Sequence, residues 1–206
     1  RVERWSPPKG AVDLKRCFEE VLQDLHPLIQ ESGALVSVES LPTLTGSTTQ
    51  LRRLFQNIVA NGIKYAVADR TPEVSVRATI EGHNAEIHVT DNGQGFDMSH
   101  HDDVFKPFVR LGPADGSGSG VGLATAMRIA ERHGGTIRAS SEVKRGTTFT
   151  VSLPISMLEL AEFRRRAACE DAPTTPASKP ALPRRKSKVE TLTSGPRLKL
   201  LVVDDN

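Results

Sequence analysis

Apolar residues recur with helical spacing in three segments of the chain, residues 13–32, 48–67 and 121–134. Asp13 is a suitable N-cap for the first segment, and Pro27 is expected to kink or shorten it. Thr48 or Thr49 can cap the second segment. The pattern therefore predicts three amphipathic helices, each with an apolar face to bury.

Strict alternation of apolar and polar residues marks four further segments, residues 74–81, 85–90, 137–139 and 149–153. Such alternation predicts strands with one polar, solvent-exposed face and one apolar, buried face. Residues 34–39 predict one more short strand, and residues 41–46 are expected to turn the chain. A sheet with one apolar face needs one covering layer, which the helices supply. We predict a two-layer α/β sandwich, with a mixed sheet and the helices on one face.

The chain divides by composition. We assign residues 1–11 to the tail of a preceding region, 12–156 to a folded domain, 157–197 to a helix with a Pro-rich linker, and 198–206 to the start of another domain. The linker is rich in Pro, Ala, Ser, Thr and basic residues and poor in large apolar ones. The last part is an apolar strand that ends at Asp204 and Asp205. Because the chain begins without Met and stops after this strand, we expect a piece of a longer protein.

Charge and cysteine content narrow the function classes. The formal net charge is +2, and the chain before residue 157 is close to neutral, which gives no support for a nucleic-acid partner. Cys17 and Cys169 are too few and too distant for a disulfide framework or a zinc cluster, and they favour a reducing compartment. No signal peptide or membrane-spanning apolar run is present. We expect a cytoplasmic fragment without direct membrane contact, whose parent protein can still carry a membrane anchor.

A glycine-rich stretch immediately precedes the third predicted helix. Gly116, Gly118, Gly120 and Gly122 stand at every second position and remove side chains from the loop. Backbone N–H groups can then surround an anion, and the helix N-terminus adds the positive end of its dipole. The stretch indicates phosphate binding; the alternative is a flexible connector, since glycine-rich loops serve that purpose too.

Three polar residues share one face of the second predicted helix. Asn57, Asn61 and Lys64 recur at helical spacing, whereas Leu54 and Ile58 turn toward the sheet. Taken singly, each Asn is explained by a solvent-facing position. Two Asn in mid-helix are nevertheless poor helix formers with no capping task. Their amide oxygens, beside a phosphate-binding loop, are suitable hard ligands for Mg²⁺.

A short motif follows the second hairpin strand directly. Asp91 stands at the strand end, and Gly93 and Gly95 let a planar group approach the backbone. Such a carboxylate can accept a hydrogen bond from an exocyclic amine such as that of adenine; ordinary turn chemistry is the alternative. Phe108, in a Phe-Lys-Pro-Phe run, is interpreted as part of the packed hinge of a mobile lid, with Arg110 reaching phosphate.

Taken in order, these motifs resemble the N, first glycine, F and second glycine boxes of sensor histidine kinases, at residues 57–65, 91–95, 105–108 and 118–123. The resemblance covers roughly residues 12–155 and implies the Bergerat ATP-binding fold, which DNA gyrase and mismatch-repair ATPases share. The amino-acid sequence of residues 54–61 is most similar to that of the phytochrome-like branch. Gly62 stands where the family often has Ala, which is a small departure.

The resemblance implies ATP and Mg²⁺ as ligands. Mg²⁺ would be held by Asn57 and Asn61, and catalysis would depend on Asn57 and Lys64. The residues implied to bind the nucleotide are Asn57, Asn61, Lys64, Tyr65, Asp91, Gly93, Gly95, Phe108, Arg110, Gly118, Gly120, Gly122, Leu123, Thr147 and Thr148. Among these, Asp91 would bind the adenine amine, and Thr147 or Thr148 would support it through water.

The same resemblance implies a partner outside this chain. In the family the phosphoacceptor His lies on a dimerisation helix, and no His of this chain has the corresponding surroundings. Residues 1–11 would be the end of that dimerisation region. Asp204 and Asp205 resemble the acidic pair that gathers Mg²⁺ at the start of a receiver domain. The implied parent is a homodimeric hybrid histidine kinase, with its own dimerisation helix and a receiver domain or response regulator as partners.

Three functions fit these motifs. The first is ATP-dependent phosphoryl transfer to a His on the dimerisation helix, mostly by positioning and charge neutralisation. The second is a regulatory module in which ATP acts only as a conformational ligand; the intact Asn57, Asn61 and Asp91 argue against a degenerate site. The third is a gyrase- or MutL-type ATPase, which needs a Glu to activate water where this helix has Asn57 or Arg53. The resemblance favours the kinase.

Overall fold

The computed structural model describes residues 10–109 and 119–170. The strands are β1 (Gly10–Asp13), β2 (Leu35–Val38), β3 (Thr43–Gly46), β4 (Glu73–Glu81), β5 (Asn84–Asp91), β6 (Thr136–Glu142) and β7 (Gly146–Pro154). The helices are α1 (Leu14–Asp24), α2 (His26–Ser32), α3 (Thr48–Lys64), α4 (Gly122–Arg132) and α5 (Met157–Glu170). The predicted linker and the predicted receiver start, with Asp204 and Asp205, lie outside the described residues.

Five strands form the main sheet, in the order β2-β4-β5-β7-β6. β2 pairs with β4 in parallel, and the other neighbours are antiparallel. In the centre of the sheet Val89 of β5 lies between Val76 of β4 and Phe149 of β7. Alternation places these side chains on one apolar face, as predicted. The sheet is mixed, as the sequence also predicted.

One helical layer covers that face. Leu54, Phe55 and Ile58 of α3 are buried against it, and the rings of Phe18 and Phe55 pack with centroids 4.5 Å apart. Apolar burial of this kind contributes roughly 25 cal/mol per Å² removed from water. The predicted two-layer sandwich with helices on one face is confirmed.

The helix ends follow the predictions only in part. Oδ1 of Asp13 accepts hydrogen bonds from the N–H groups of Lys15 and Arg16, so the predicted N-cap of α1 is correct. The first predicted helix is in fact two helices, separated at Leu25, and Pro27 lies in the first turn of α2, where its missing N–H costs no hydrogen bond.

The predicted cap of the second helix is wrong. α3 begins at Thr48 after an N-cap at Ser47, whose side chain makes no capping hydrogen bond. The Ser47 N–H instead donates to Nε2 of the buried His133, at 3.1 Å. Nδ1 of that ring contacts the Ile129 carbonyl oxygen at 2.8 Å, so the carbonyl accepts the ring proton. The start of α3 is therefore determined by a contact with the end of α4, which local spacing does not encode.

A second, two-stranded sheet replaces the turn expected at residues 41–46. β3 pairs antiparallel with β1, and four residues on each side are too few to show alternation. α5 is connected to this sheet through a hydrogen bond of 2.7 Å from the Thr45 hydroxyl to Glu159 Oε1. Across residues 10–109 and 119–170, we find no helix whose length and hydrophobicity suit a membrane crossing.

Candidate functional site

A cavity of about 260 Å³ opens between α3, the start of α4 and the residues that follow β5. It is bordered by ten of the residues that the sequence proposed for the nucleotide: Asn57, Asn61, Lys64, Tyr65, Asp91, Gly95, Gly120, Gly122, Leu123 and Thr147. These positions come from four separate stretches of chain. The tertiary structure thus brings most of the predicted site together around one space.

Asp91 is half-buried at the end of β5, with its two carboxylate oxygens in different surroundings. Oδ1 accepts hydrogen bonds from the backbone N–H groups of Gly93, at 2.9 Å, and of Thr147, at 3.1 Å. Oδ2 has no hydrogen-bond partner within the described part of the chain. Burial raises the pKa of Asp91, and the two backbone hydrogen bonds oppose that rise. The carboxylate is therefore held by one oxygen, and the other is available to a ligand that donates hydrogen.

Three glycines allow the chain to close tightly around Asp91. A Cβ on Gly93 would lie 2.5 Å from the Tyr65 carbonyl oxygen. A Cβ on Gly95 would collide with the Glu142 carbonyl, and one on Gly146 would collide with the carbonyl of Asp91 itself. Only glycine leaves room for these backbone approaches. The role of Gly93 and Gly95 in shaping a nucleotide pocket stays a prediction, and this close packing is an observation in its favour.

The opposite end of the cavity is polar and faces the N-terminus of α4. Oδ1 of Asn57 would lie 3.5 Å from a Cβ placed on Gly122, the first residue of α4. Within the described chain, the carboxamides of Asn57 and Asn61 make no hydrogen bond. Unpaired amides next to a helix N-terminus suit a ligand that brings both anionic oxygens and a cation.

The protein oxygens at this end of the cavity suit Mg²⁺ only if a bound ligand supplies part of the coordination. Among the described residues no group of three or more His, Cys, Asp or Glu could hold a metal ion. Mg²⁺ is commonly bound by one or two protein oxygens together with phosphates and water. The amide oxygens of Asn57 and Asn61 can supply the protein share, and a phosphate ligand would have to supply the rest.

Some predicted site residues lie elsewhere. Thr148 is on the other face of the sheet, where its hydroxyl is 3.0 Å from that of Thr90. Gly93 positions Asp91 but does not border the cavity. Phe108 is 79% exposed, also outside the lining, and its N–H donates to the Gly120 carbonyl oxygen at 2.9 Å. Arg110 and Gly118 lie outside the described residues.

The sequence analysis missed seven residues that border the cavity: Ala60, Gln94, Phe96, Val104, Val109, Ser119 and Phe149. Phe96 immediately follows the Asp91 motif, so its position was a usable signal. Phe149 is buried in β7 and packs edge-on against Phe105, with ring centroids 6.3 Å apart. Phe96 and Phe149 give the cavity an apolar wall suited to a flat aromatic ligand.

Comparison with known proteins shows the family of this chain. The family described as histidine kinase-, DNA gyrase B-, and HSP90-like ATPase matches residues 46–157. Phytochrome-like protein Cph1 of Synechocystis sp. is 36% identical over 144 residues, which are 69% of this chain and 19% of that protein. Sensor histidine kinase ZraS of Escherichia coli is 31% identical over 148 residues, 65% of this chain and 31% of that protein. The chain thus spans less than a third of either relative.

A solved structure agrees with the fold. The mycobacterial sensor histidine kinase MprB superposes with a TM-score of 0.62 at 26% identity, over 71% of this chain and 97% of that one. Similarity over nearly the whole of that structure confirms the fold class predicted from the sequence.

Proposed function

The chain belongs to the family of histidine kinase-, DNA gyrase B-, and HSP90-like ATPases, and on this premise we propose that its cavity positions ATP for phosphoryl transfer to a protein histidine. The observation that carries the proposal is that one cavity is bordered by Asp91 and by two Asn carboxamides that make no hydrogen bond within the described residues. A carboxylate with one available oxygen suits an amine, and the polar end suits phosphates with their cation.

At the base end, Asp91 Oδ2 accepts a hydrogen from the adenine amino group. Oδ1 cannot rotate toward the ligand without giving up the bonds from Gly93 and Thr147. The base is stacked along the apolar wall that contains Phe96 and Phe149. Holding the carboxylate before the ligand arrives lowers the ordering cost of binding.

At the phosphate end, Gly120 and Gly122 expose backbone next to the N-terminus of α4. Asn57 and Asn61 would hold Mg²⁺, and the ion would supply charge neutralisation at the phosphates. Lys64 is exposed at the cavity edge, where its ammonium group adds positive charge. Together these groups orient the terminal phosphoryl group, and positioning is the main source of catalysis in this reaction class.

The phosphoacceptor lies outside this chain. His133 is buried and bonded to Ser47 and Ile129, and the ring of His88 lies between Thr79 and Thr150 on the outer face of the sheet. Neither ring is placed to receive a phosphoryl group. We propose a His on the parent's own dimerisation helix as acceptor, in a homodimeric, cytoplasmic kinase core.

Two finer assignments belong to the same proposal. A receiver domain that begins near residue 198 would make the parent a hybrid kinase. The identity to phytochrome-like protein Cph1 supports a place in the phytochrome-like branch. A downstream acceptor Asp would test the receiver assignment, and an upstream sequence with a His-bearing dimerisation helix would test the kinase core to which both assignments belong.

The decisive experiment is phosphoryl transfer in trans. The 206-residue chain is incubated with radiolabelled ATP and Mg²⁺, alone and with the parent's upstream helix. We expect label on the added helix only, and slowly, because tethering normally supplies the effective concentration. Acid-labile label on the chain alone would show an acceptor within it.

The other outcomes distinguish the alternatives. Nucleotide binding without label on the helix would favour a regulatory module. Release of inorganic phosphate with neither protein labelled would favour a gyrase-type ATPase. Asn57→Asp is compared with the wild type in the same assay. It keeps the side-chain shape but changes the charge at the proposed Mg²⁺ site.

A further inference from the structure

The hydroxyl of Ser141, in β6, lies behind the cavity wall and joins three separate groups. Its Oγ accepts the N–H of Phe96 at 2.8 Å, is 3.0 Å from the carbonyl oxygen of Gly146, and is 2.9 Å from Oγ1 of Thr147. Ser141 itself does not border the cavity, whereas Phe96 and Thr147 do. The side chain therefore contacts the site only through other residues.

The hydrogen positions around Ser141 follow from counting donors and acceptors. A serine hydroxyl has one hydrogen to donate and two lone pairs to accept. The Phe96 N–H uses one lone pair. The Gly146 carbonyl can only accept, so it takes the Ser141 hydrogen. The remaining contact is satisfied when the Thr147 hydroxyl donates its own hydrogen to the second lone pair of Ser141.

This arrangement determines what Thr147 offers a ligand. Its hydrogen points away from the cavity, toward Ser141, and its lone pairs are left for the cavity side. Thr147 is 7% exposed and borders the cavity together with Asp91, whose Oδ2 is also an acceptor. The wall thus presents acceptors at both positions. An amino group, with two hydrogens to give, matches such a wall, whereas a carbonyl oxygen does not.

We propose that Ser141 is a positioning residue that holds the Thr147 hydroxyl as an acceptor and thereby makes the cavity select a 6-amino purine over a 6-oxo purine. The inference rests on the proposed function, because it assumes that the base lies at Asp91. Without Ser141 the Thr147 hydroxyl is free to rotate and donate to a 6-oxo group. Rejection of the wrong base by polar groups left unpaired is a strong source of selectivity.

The test compares ADP with inosine diphosphate, whose base carries an oxo group in place of the amino group. Affinities of the 206-residue chain for both are measured by calorimetry with Mg²⁺. We expect the wild type to prefer ADP, and Ser141→Ala to reduce that preference by about tenfold, the worth of one hydrogen bond. Ser140→Ala is the matched control, since Ser140 is the neighbouring residue on the same strand and does not border the cavity.

A purely structural role for Ser141 predicts a different result. Loss of the Phe96 contact alone would weaken both nucleotides equally and leave their ratio unchanged. In a Thr147→Val background, Ser141→Ala should have no further effect on the ratio, because the hydroxyl it acts on is absent. Ser141→Thr, which keeps a hydroxyl, should restore the preference.

The outcomes separate the two proposals. A wild type that binds both nucleotides equally would remove the assignment of the base to Asp91, and this inference with it. If the wild type prefers ADP, and Ser141→Ala has the same preference as the control Ser140→Ala, the role of Ser141 alone is overturned. Where Ser141→Ala does not fold, Thr147→Val by itself must reduce the preference for ADP, and an unchanged preference in that variant would equally overturn the proposal.

Discussion

The backbone N–H of Thr147 donates a hydrogen bond of 3.1 Å to Oδ1 of Asp91, across 56 positions of sequence. β5 and β7 are neighbours in the sheet, and this bond connects the last residue of one with the second residue of the other. It orients the carboxylate without any ligand. Oδ2 of Asp91, the oxygen that the proposed function requires, is therefore oriented before any ligand binds.

Replacement of Asp91 by Asn is expected to abolish useful nucleotide binding while the fold is kept. The Asn oxygen can still accept hydrogen bonds from Gly93 and Thr147. The amide N–H₂ group then takes the place of Oδ2, so that two hydrogen-bond donors, this group and the adenine amine, face each other. We expect a loss of about a hundredfold or more in ADP affinity by calorimetry, the effect of replacing a charged acceptor by a donor.

Asp102→Asn is the control for that experiment. It makes the same chemical change on a side chain that is 83% exposed and does not border the cavity. Its ADP affinity should equal that of the wild type. Unchanged affinity in a folded Asp91→Asn protein would refute the adenine assignment.

The stability of the nucleotide-free protein should depend on pH through Asp91. Burial raises its pKa above the ordinary value of 3.8, so the folded state binds a proton more readily than the unfolded state. Its contribution to the free energy of unfolding is thus fully present below that value and is lost as the pH rises through the folded-state pKa.

Asp91→Asn removes this titration. We therefore expect the unfolding free energy of the variant, relative to the wild type, to increase as the pH is raised from about 3.8 toward neutrality. Urea unfolding of both proteins over this range measures the difference. A difference that is constant with pH, or one that decreases, would show that burial does not raise the pKa of Asp91 in the folded protein.

Gly95 and Gly82 form a natural pair for testing the close approach around Asp91. Their φ angles are +60° and +59°, so alanine is equally strained at both. A Cβ on Gly82 meets nothing within 4 Å, whereas one on Gly95 collides with the Glu142 carbonyl. We expect Gly82→Ala to cost about 1 kcal/mol and Gly95→Ala about 3 kcal/mol or more in thermal unfolding. Equal costs would mean that the β6–β7 turn can move aside.

The turn between β6 and β7 offers a stabilising change. Lys144 has a φ of +64°, which is unfavourable for any residue with a Cβ. Its N–H donates to the Gln94 carbonyl oxygen at 2.6 Å, a bond that glycine would keep. We expect Lys144→Gly to raise stability by about 0.5–1 kcal/mol, since relief of strain outweighs the added freedom of the unfolded chain.

Arg145→Gly is the matched comparison in the same turn. Arg145 is not among the described residues with positive φ, so glycine there relieves no strain. It only adds freedom to the unfolded chain and removes the pair with Glu142. Opposite shifts in thermal midpoint for the two variants are expected, and shifts of the same sign would disprove the explanation from strain.

Local patterns in the sequence were enough for most strands of the main sheet, for α3 and α4, and for the motifs. Alternation located β4 and β5, and helical spacing placed Asn57 and Asn61 together on one face of α3. Asp13 was recognised as a cap because its partners lie only two and three residues away. Such contacts are encoded at short separation, where spacing decides which groups can meet.

Contacts between distant segments were decided only by the tertiary structure. Thr147 and Thr148 point to opposite faces of a strand, but the register of β7 against β5, which pairs Thr90 with Thr148, determines that Thr147 faces the cavity. The start of α3 likewise depends on His133, which is 86 residues from Ser47. Register and long-range pairing result from the packing of the whole core, so no local pattern specifies them.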